Sequence, residues 1–212
     1  MEISELFPIT YFTNMDYNQS KAENTTREVE KIGITPTRIA GVVYTGTSNH
    51  EWNGWIGCGL AHLNGLRLAK ELNQNVLMFE DDVVFVDDYI NIIHNAVNEL
   101  PENWDMFYLG ANITGTVHQV SSQLGRLTSA RATHAYGVNH NFISKLIETV
   151  EAKAESKPID CVYADEVCPS NYCYVTIPLV AMQRDGYSDI SSTTVSYAPW
   201  MNQRFNENLI RM

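Results

Sequence analysis

Short apolar runs alternate with amphipathic stretches through the first half of the chain. Phe7 to Phe12 (FPITYF) predicts a strand, and the Glu- and Lys-rich stretch from about Ser20 to Ile32 predicts a helix after it. Arg38 to Tyr44 (RIAGVVY) predicts a second strand. It is followed by a turn-rich loop, TGTSNHEWNG, and a helix with Ile56, Leu60, Leu63 and Leu72 on or near one face. Val76 to Phe79 is short and continuously apolar, as a central strand covered on both faces would be. Asp87 then stands as N-cap candidate for a helix marked by Ile90, Ile93, Val97 and Leu100.

Three strand–helix units in succession predict a parallel sheet with right-handed crossovers, in which ligands sit beyond the carboxyl ends of the strands. After Pro101 the alternation lapses. DMFYLG and YCYVTIP read as strands, TVHQVSSQLGRLTSARATHAYGV as strands and turns, and Ile143, Leu146, Ile147 and Val150 mark a helix. The tail, with QRDGYSDISSTTVS and YAPW, carries turn signals without a long helical repeat and is expected to wrap back over the sheet. The expected fold class is therefore α/β: a mixed, mainly parallel sheet flanked by helices.

Length and composition add bounds. A chain of 212 residues without a Pro/Gly/Ser-rich linker is expected to form one domain across 1–212. A formal charge of −11 argues against nucleic acid or an anionic membrane as partner. Cys58, Cys161, Cys168 and Cys173 lack paired C-x-x-C spacing. The N-terminus MEISELFPIT has neither a basic lead nor a long apolar run, and no window approaches a membrane span. The expectation is a reduced, cytoplasmic protein with no membrane span.

Chemistry concentrates in NVLMFEDDVVF, where Glu80, Asp81 and Asp82 follow a buried strand without turn residues between. Adjacent carboxylates in a confined loop repel one another, so a cation or several donors must compensate. Oxygen ligands favour Mn²⁺ or Mg²⁺, which also bridge to substrate phosphates, so the residues point to a metal plus a diphosphate. The alternative is that the acids cap a turn and face solvent. Neither a Walker-type nor a dinucleotide-binding glycine loop is present; the nearest approach is Gly57-Cys58-Gly59.

Several segments in order resemble the GT-A fold glycosyltransferases of the family 25 type, which include lipooligosaccharide and collagen sugar transferases. IGCGLAHLNGLRLAKELNQNVLMFEDDVVF (Ile56 to Phe85) resembles that family's G-C-x-x-S-H helix, strand and E-D-D element. WDMFYLG, THAYGVNHNFISKL, PID (Pro158 to Asp160) and YSDI (Tyr187 to Ile190) resemble its later blocks. The blocks are also similar to a glycosyltransferase domain of chlorella-virus origin, which would place the chain in a host cytoplasm. Two departures stand out: Ala61 where the family has Ser before the histidine, and Asn14-Met15-Asp16-Tyr17 in place of N-L-D-R.

The resemblance implies transfer of a sugar from a nucleoside-diphosphate donor, a UDP-sugar, to a hydroxyl of a glycan or glycoprotein with Mn²⁺ or Mg²⁺. It implies a nucleotide-binding half over about 1–110 and an acceptor-side half over about 111–212. Asp82 and Glu80 become metal ligands, and Asp81 turns to the ribose or donor sugar. Thr10, Tyr11, Phe12, Thr13 and Asn14, with Tyr44 and Thr45, border the nucleotide, although Tyr11, Phe12 and Tyr44 equally suit the core. His62 contacts substrate or is structural, as is His134. Asp160 caps a helix, binds donor sugar or acts as base, with Asp165 and Glu166 in reserve. Ser188 and Asp189 form a turn or close over the diphosphate. Arg131, Arg184 and Lys70 are the candidate cations.

Two other functions compete: a non-catalytic sugar- or nucleotide-binding module, and a metal-dependent hydrolase of nucleotide sugars. An intact E-D-D together with Asp160 favours catalysis.

Overall fold

The computed structural model describes residues 1–211. A short α1 (Ile3–Leu6) leads into β1 (Ile9–Asn14), α2 (Gln19–Glu30), β2 (Thr37–Ala40), α3 (His50–Leu72) and β3 (Val76–Glu80). Next come β4 (Val83–Phe85), α4 (Tyr89–Glu99), β5 (Met106–Ile113), β6 (Val117–Gln119), β7 (Leu124–Leu127), β8 (Ala130–Val138) and α5 (His140–Glu151). A short α6 (Ile159–Val162) continues into a π turn and a 3-10 turn. The chain ends with β9 (Cys173–Thr176), β10 (Ala181–Gln183), β11 (Gly186–Ser188), β12 (Thr193–Val195), α7 (Ala198–Asn208) and β13 (Leu209–Ile210).

Nine strands form one sheet in the order β13-β6-β7-β9-β5-β8-β3-β1-β2. All run the same way except β7 and β8, so the sheet is mixed and mainly parallel, as expected. The Rossmann-like β2-β1-β3 stretch brings Asn14, Ala40 and Glu80 to one edge. Antiparallel β8 brings its first residues there too.

Period-two alternation splits the central strands between two cores. Met78, Tyr108 and Tyr136 pack with Leu63 and Leu66 of α3 and Leu146 of α5, whereas Leu77, Phe79 and Phe107 pack with Val29 of α2 and Ile93 and Val97 of α4. The continuous apolar run Val76–Phe79 is what coverage on both faces requires: all four residues are fully buried.

Four expectations need correction. The second strand stops at Ala40, because its only neighbour, β1, ends in register with it at Asn14, and Val43 lies exposed beyond. The loop read into NHEWNG is the start of α3: the Asn49 side chain accepts the Trp52 N–H at 2.9 Å and caps the helix at His50. Asp88 rather than Asp87 precedes α4, in a left-handed conformation (φ 61°) and without a side-chain cap bond. The tail does contain a helix, α7, which buries only Met201 and Phe205, one turn apart, too thin a stripe to be read as helical periodicity.

Candidate active site

The triplet Glu80-Asp81-Asp82 turns from β3 into β4, and β4 is itself held as an antiparallel pair by β10. The Arg184 N–H bonds the Asp82 carbonyl at 2.6 Å and the Thr25 hydroxyl the Asp81 carbonyl at 2.9 Å, so the turn is fixed from both sides. The three side chains go separate ways.

Glu80 faces α3 and β8. Its Oε1 accepts from the Thr133 hydroxyl and lies 3.5 Å from His62 Nε2. Burial works against its charge, but His62 and Thr133 beside it outweigh that and hold the carboxyl below its usual range.

Asp82 is the least satisfied. Gln183 Nε2 donates to Oδ2 at 3.1 Å, while Oδ1 is buried without a hydrogen-bond partner among the described residues. Burial, with Glu80 and Asp81 adding repulsion, pushes its carboxyl up to about 8.

Asp81 turns the other way, to the end of β1. Asn14 Nδ2 donates to its Oδ2 at 2.7 Å and Lys21 Nζ stands 3.8 Å from Oδ1. Burial still raises its carboxyl above the ordinary value against the pull of Lys21 and Asn14.

The loop between β11 and β12 closes over this side. Asp189 accepts from Lys21 Nζ at 3.0 Å and from the Tyr17 hydroxyl at 3.3 Å, and its carbonyl lies 3.3 Å from His50 Nε2. Ser188 Oγ accepts the Ser191 N–H at 3.3 Å, a local turn bond. Lys21 therefore ties Asp81 to Asp189. Sequence reading passed it over because it sits in a Glu- and Lys-rich helix with nothing local to set it apart. Of the cations named instead, Arg184 reaches Glu28 at 3.9 Å, and Lys70 and Arg131 lie exposed on the last turn of α3 and the start of β8.

Asp160 stands at the start of α6. Its Oδ1 accepts the Cys161 N–H at 2.7 Å and Oδ2 the Ala132 N–H at 3.3 Å, so it pins the residue next to Thr133, the partner of Glu80. Asp165 and Glu166 both pair with Lys157, at 3.0 and 3.2 Å, on the outer surface.

The remaining candidates divide. Thr13 is buried in register beside Glu80, and Asn14 ends the strand at the carboxylate edge. Tyr11 and Phe12 point into opposite cores, the structural alternative for both. Thr10 is buried deeper in β1, about 13 Å short of Asn14 at strand spacing. Tyr44 is half-buried in the loop after β2, its ring folded back against Gly46, and Thr45 beside it is exposed.

Two histidines lie fully buried. His134 Nε2 donates to the Ala181 carbonyl at 3.2 Å and clamps β10 over the sheet. His62 Nδ1 lies 2.9 Å from the Tyr136 hydroxyl. Gly57 belongs to no phosphate loop: it lets α3 back onto the Val42 carbonyl, which an added Cβ would meet at 2.2 Å. Between Gly57 and Gly59, Cys58 points to the site. Its sulfur joins His62 and Glu80 in a group whose ligand atoms lie within 4.8 Å of one another. The i, i+4 spacing of Cys58 and His62 was the signal for this grouping in the sequence.

For a divalent cation the fit rests on the acid pair Glu80 and Asp82: one carboxylate held ionised, the other carrying a buried oxygen with no partner. A cation would supply what Asp82 Oδ1 lacks.

No family model and no curated relative matches the sequence. Among solved structures, the chain is similar to a glycosyltransferase involved in the glycosylation of the major capsid of PBCV-1. Identity is 10%, coverage 92% of this chain and 98% of that one, and the TM-score 0.49. It is also similar to A197 from STIV at 10% identity over 84% and 93% of the two chains, with a TM-score of 0.46. Among the described residues no helix is long and apolar enough to cross a membrane.

Proposed function

We propose that the chain is a metal-dependent glycosyltransferase of the GT-A type, resembling family 25, which moves a sugar from a nucleoside-diphosphate donor to a hydroxyl of a glycan or glycoprotein. The observation that carries this reading is the buried, half-satisfied Asp82 carboxylate beside Glu80 at the carboxyl edge of a mainly parallel sheet. Mn²⁺ or Mg²⁺ held by Asp82 and Glu80 would neutralise charge on the departing diphosphate.

The chain's own residues take the remaining roles. Asn14 and Lys21 fix Asp81 so that its carboxylate can accept from the ribose or donor-sugar hydroxyls. Lys21, already between two acids, supplies positive charge on the diphosphate side, and the Ser188–Asp189 loop it holds covers that side from water. Asp160 accepts two backbone N–H groups, which leaves lone pairs free to take the proton of an acceptor hydroxyl. In this reading about 1–110 bind the nucleotide and about 111–212 serve the acceptor, within one domain. UDP is the proposed nucleotide.

A calorimetric panel of UDP-, GDP- and CMP-sugars, with Mn²⁺ and with EDTA, tests the reading. The expected result is preference for UDP-sugars that disappears on chelation. Equal, metal-independent binding of all three would overturn it.

A further inference from the structure

Cys58 and His62 lie one turn apart on α3 and face the end of β3, where their ligand atoms and those of Glu80 come within 4.8 Å of one another. His62 is 0% exposed, and its two ring nitrogens have different fates. Nδ1 lies 2.9 Å from the Tyr136 hydroxyl, which in turn lies 3.2 Å from that of Tyr163. Nε2 has no hydrogen-bond partner and points at Glu80 Oε1, 3.5 Å away, too far for a normal bond. Without an ion, an Nε2–H faces Glu80 and Nδ1 accepts from Tyr136. When an ion takes that place the ring proton sits on Nδ1 and is donated to Tyr136, which donates on to Tyr163, so the Nε2 lone pair is freed and the ring is fixed. Metal-binding histidines are commonly held in this way.

We propose that Cys58, His62 and Glu80 form a binding site for a borderline-soft divalent ion of the Zn²⁺ class. A sulfur, an imidazole nitrogen and one carboxylate select zinc over the hard cations suited to Asp82 and Glu80. Zinc bonds of about 2.0–2.3 Å at tetrahedral angles put ligand atoms about 3.3–3.8 Å apart. The observed 4.8 Å spread must therefore contract by about 1 Å, within reach of the partly exposed Cys58 and Glu80 side chains. Three protein ligands leave a fourth position open to water.

Loading exchanges one proton for one ion: the Cys58 S–H bond breaks, the S–Zn bond forms, and the proton passes to the buffer. The site stands independently of the sugar-transfer reading. Only one consequence rests on that reading: zinc would engage Glu80 and so oppose the donor's cation.

Chelator-stripped protein is titrated with Zn²⁺ by calorimetry in two buffers of different ionisation enthalpy, and with Co²⁺ followed by absorption. One ion per chain, release of about one proton and a thiolate-to-cobalt charge-transfer band in the near ultraviolet are expected. Cys58→Ser, at a partly exposed position, should abolish the band and weaken Zn²⁺ at least about tenfold. Tyr136→Phe should weaken it by about tenfold with the band retained. Asp82→Asn should bind Zn²⁺ within about threefold of wild type. An absent band, a Cys58→Ser affinity equal to wild type, or zinc lost with Asp82→Asn would each overturn the site. The UDP-sugar panel with Mn²⁺ fails or succeeds separately.

Discussion

Gln183 Nε2 donates to Asp82 Oδ2 at 3.1 Å, the one hydrogen bond between a side chain and the Asp82 carboxyl among the described residues, and it comes from the strand that pins β4 in place. Asp82 is thus rigidly held yet only half satisfied.

Between about pH 4 and pH 8 the folded, metal-free chain keeps a proton on Asp82 that the unfolded chain has released. Its contribution to stability therefore falls as pH rises through that window. Chelated wild type should lose more Tm between about pH 5 and 9 than Asp82→Asn, which should be the more stable of the two at the upper end. Mn²⁺ should raise the wild-type Tm at about pH 8 and leave that of Asp82→Asn unmoved. A variant less stable than wild type at high pH would contradict the assignment.

Lys21→Met should separate folding from binding. Its two ion pairs are partly exposed and worth under about 1 kcal/mol, so denaturant unfolding should barely change. Affinity for the nucleoside-diphosphate sugar should fall about tenfold, the size of one lost charge-assisted contact. Calorimetry decides between a binding residue and a surface pair.

Asp160→Asn keeps the shape and one of the two backbone hydrogen bonds but removes the basic carboxylate. Transfer to acceptor should drop at least about a hundredfold with donor binding preserved. Equal loss of donor affinity would move Asp160 to the donor side.

Two glycines form a matched pair. A Cβ at Gly110 would meet the Ala181 carbonyl oxygen at 1.9 Å and His134 Nε2 at 2.6 Å, whereas one at Gly186 meets nothing within 4 Å. Gly110→Ala should cost more than about 2 kcal/mol in denaturant unfolding, and Gly186→Ala less than about 0.5.

The α/β class and the acidic edge were legible because apolar runs such as Val76–Phe79 record burial on both faces. The Arg38–Tyr44 run was overread because strand length depends on the partner: β1 offers no pairing beyond Asn14. Asp82 could be placed from its position after β3, but its separation from Asp81 could not, since it depends on Gln183, Asn14 and Lys21, all distant in sequence. The zinc-type group was half visible: Cys58 and His62 share a helix face locally, whereas Glu80 joins them only through tertiary packing.

The final segment also limits how the chain can breathe. Met201 and Phe205 of α7 are sunk in the core, and β13 adds a parallel rung beside β6 at the far margin of the sheet. A swing of everything after β10 would tear out both anchors. Any loosening over the acidic edge then falls to the ribbon of β11 and β12, which Asp189 ties down through Tyr17, Lys21 and His50.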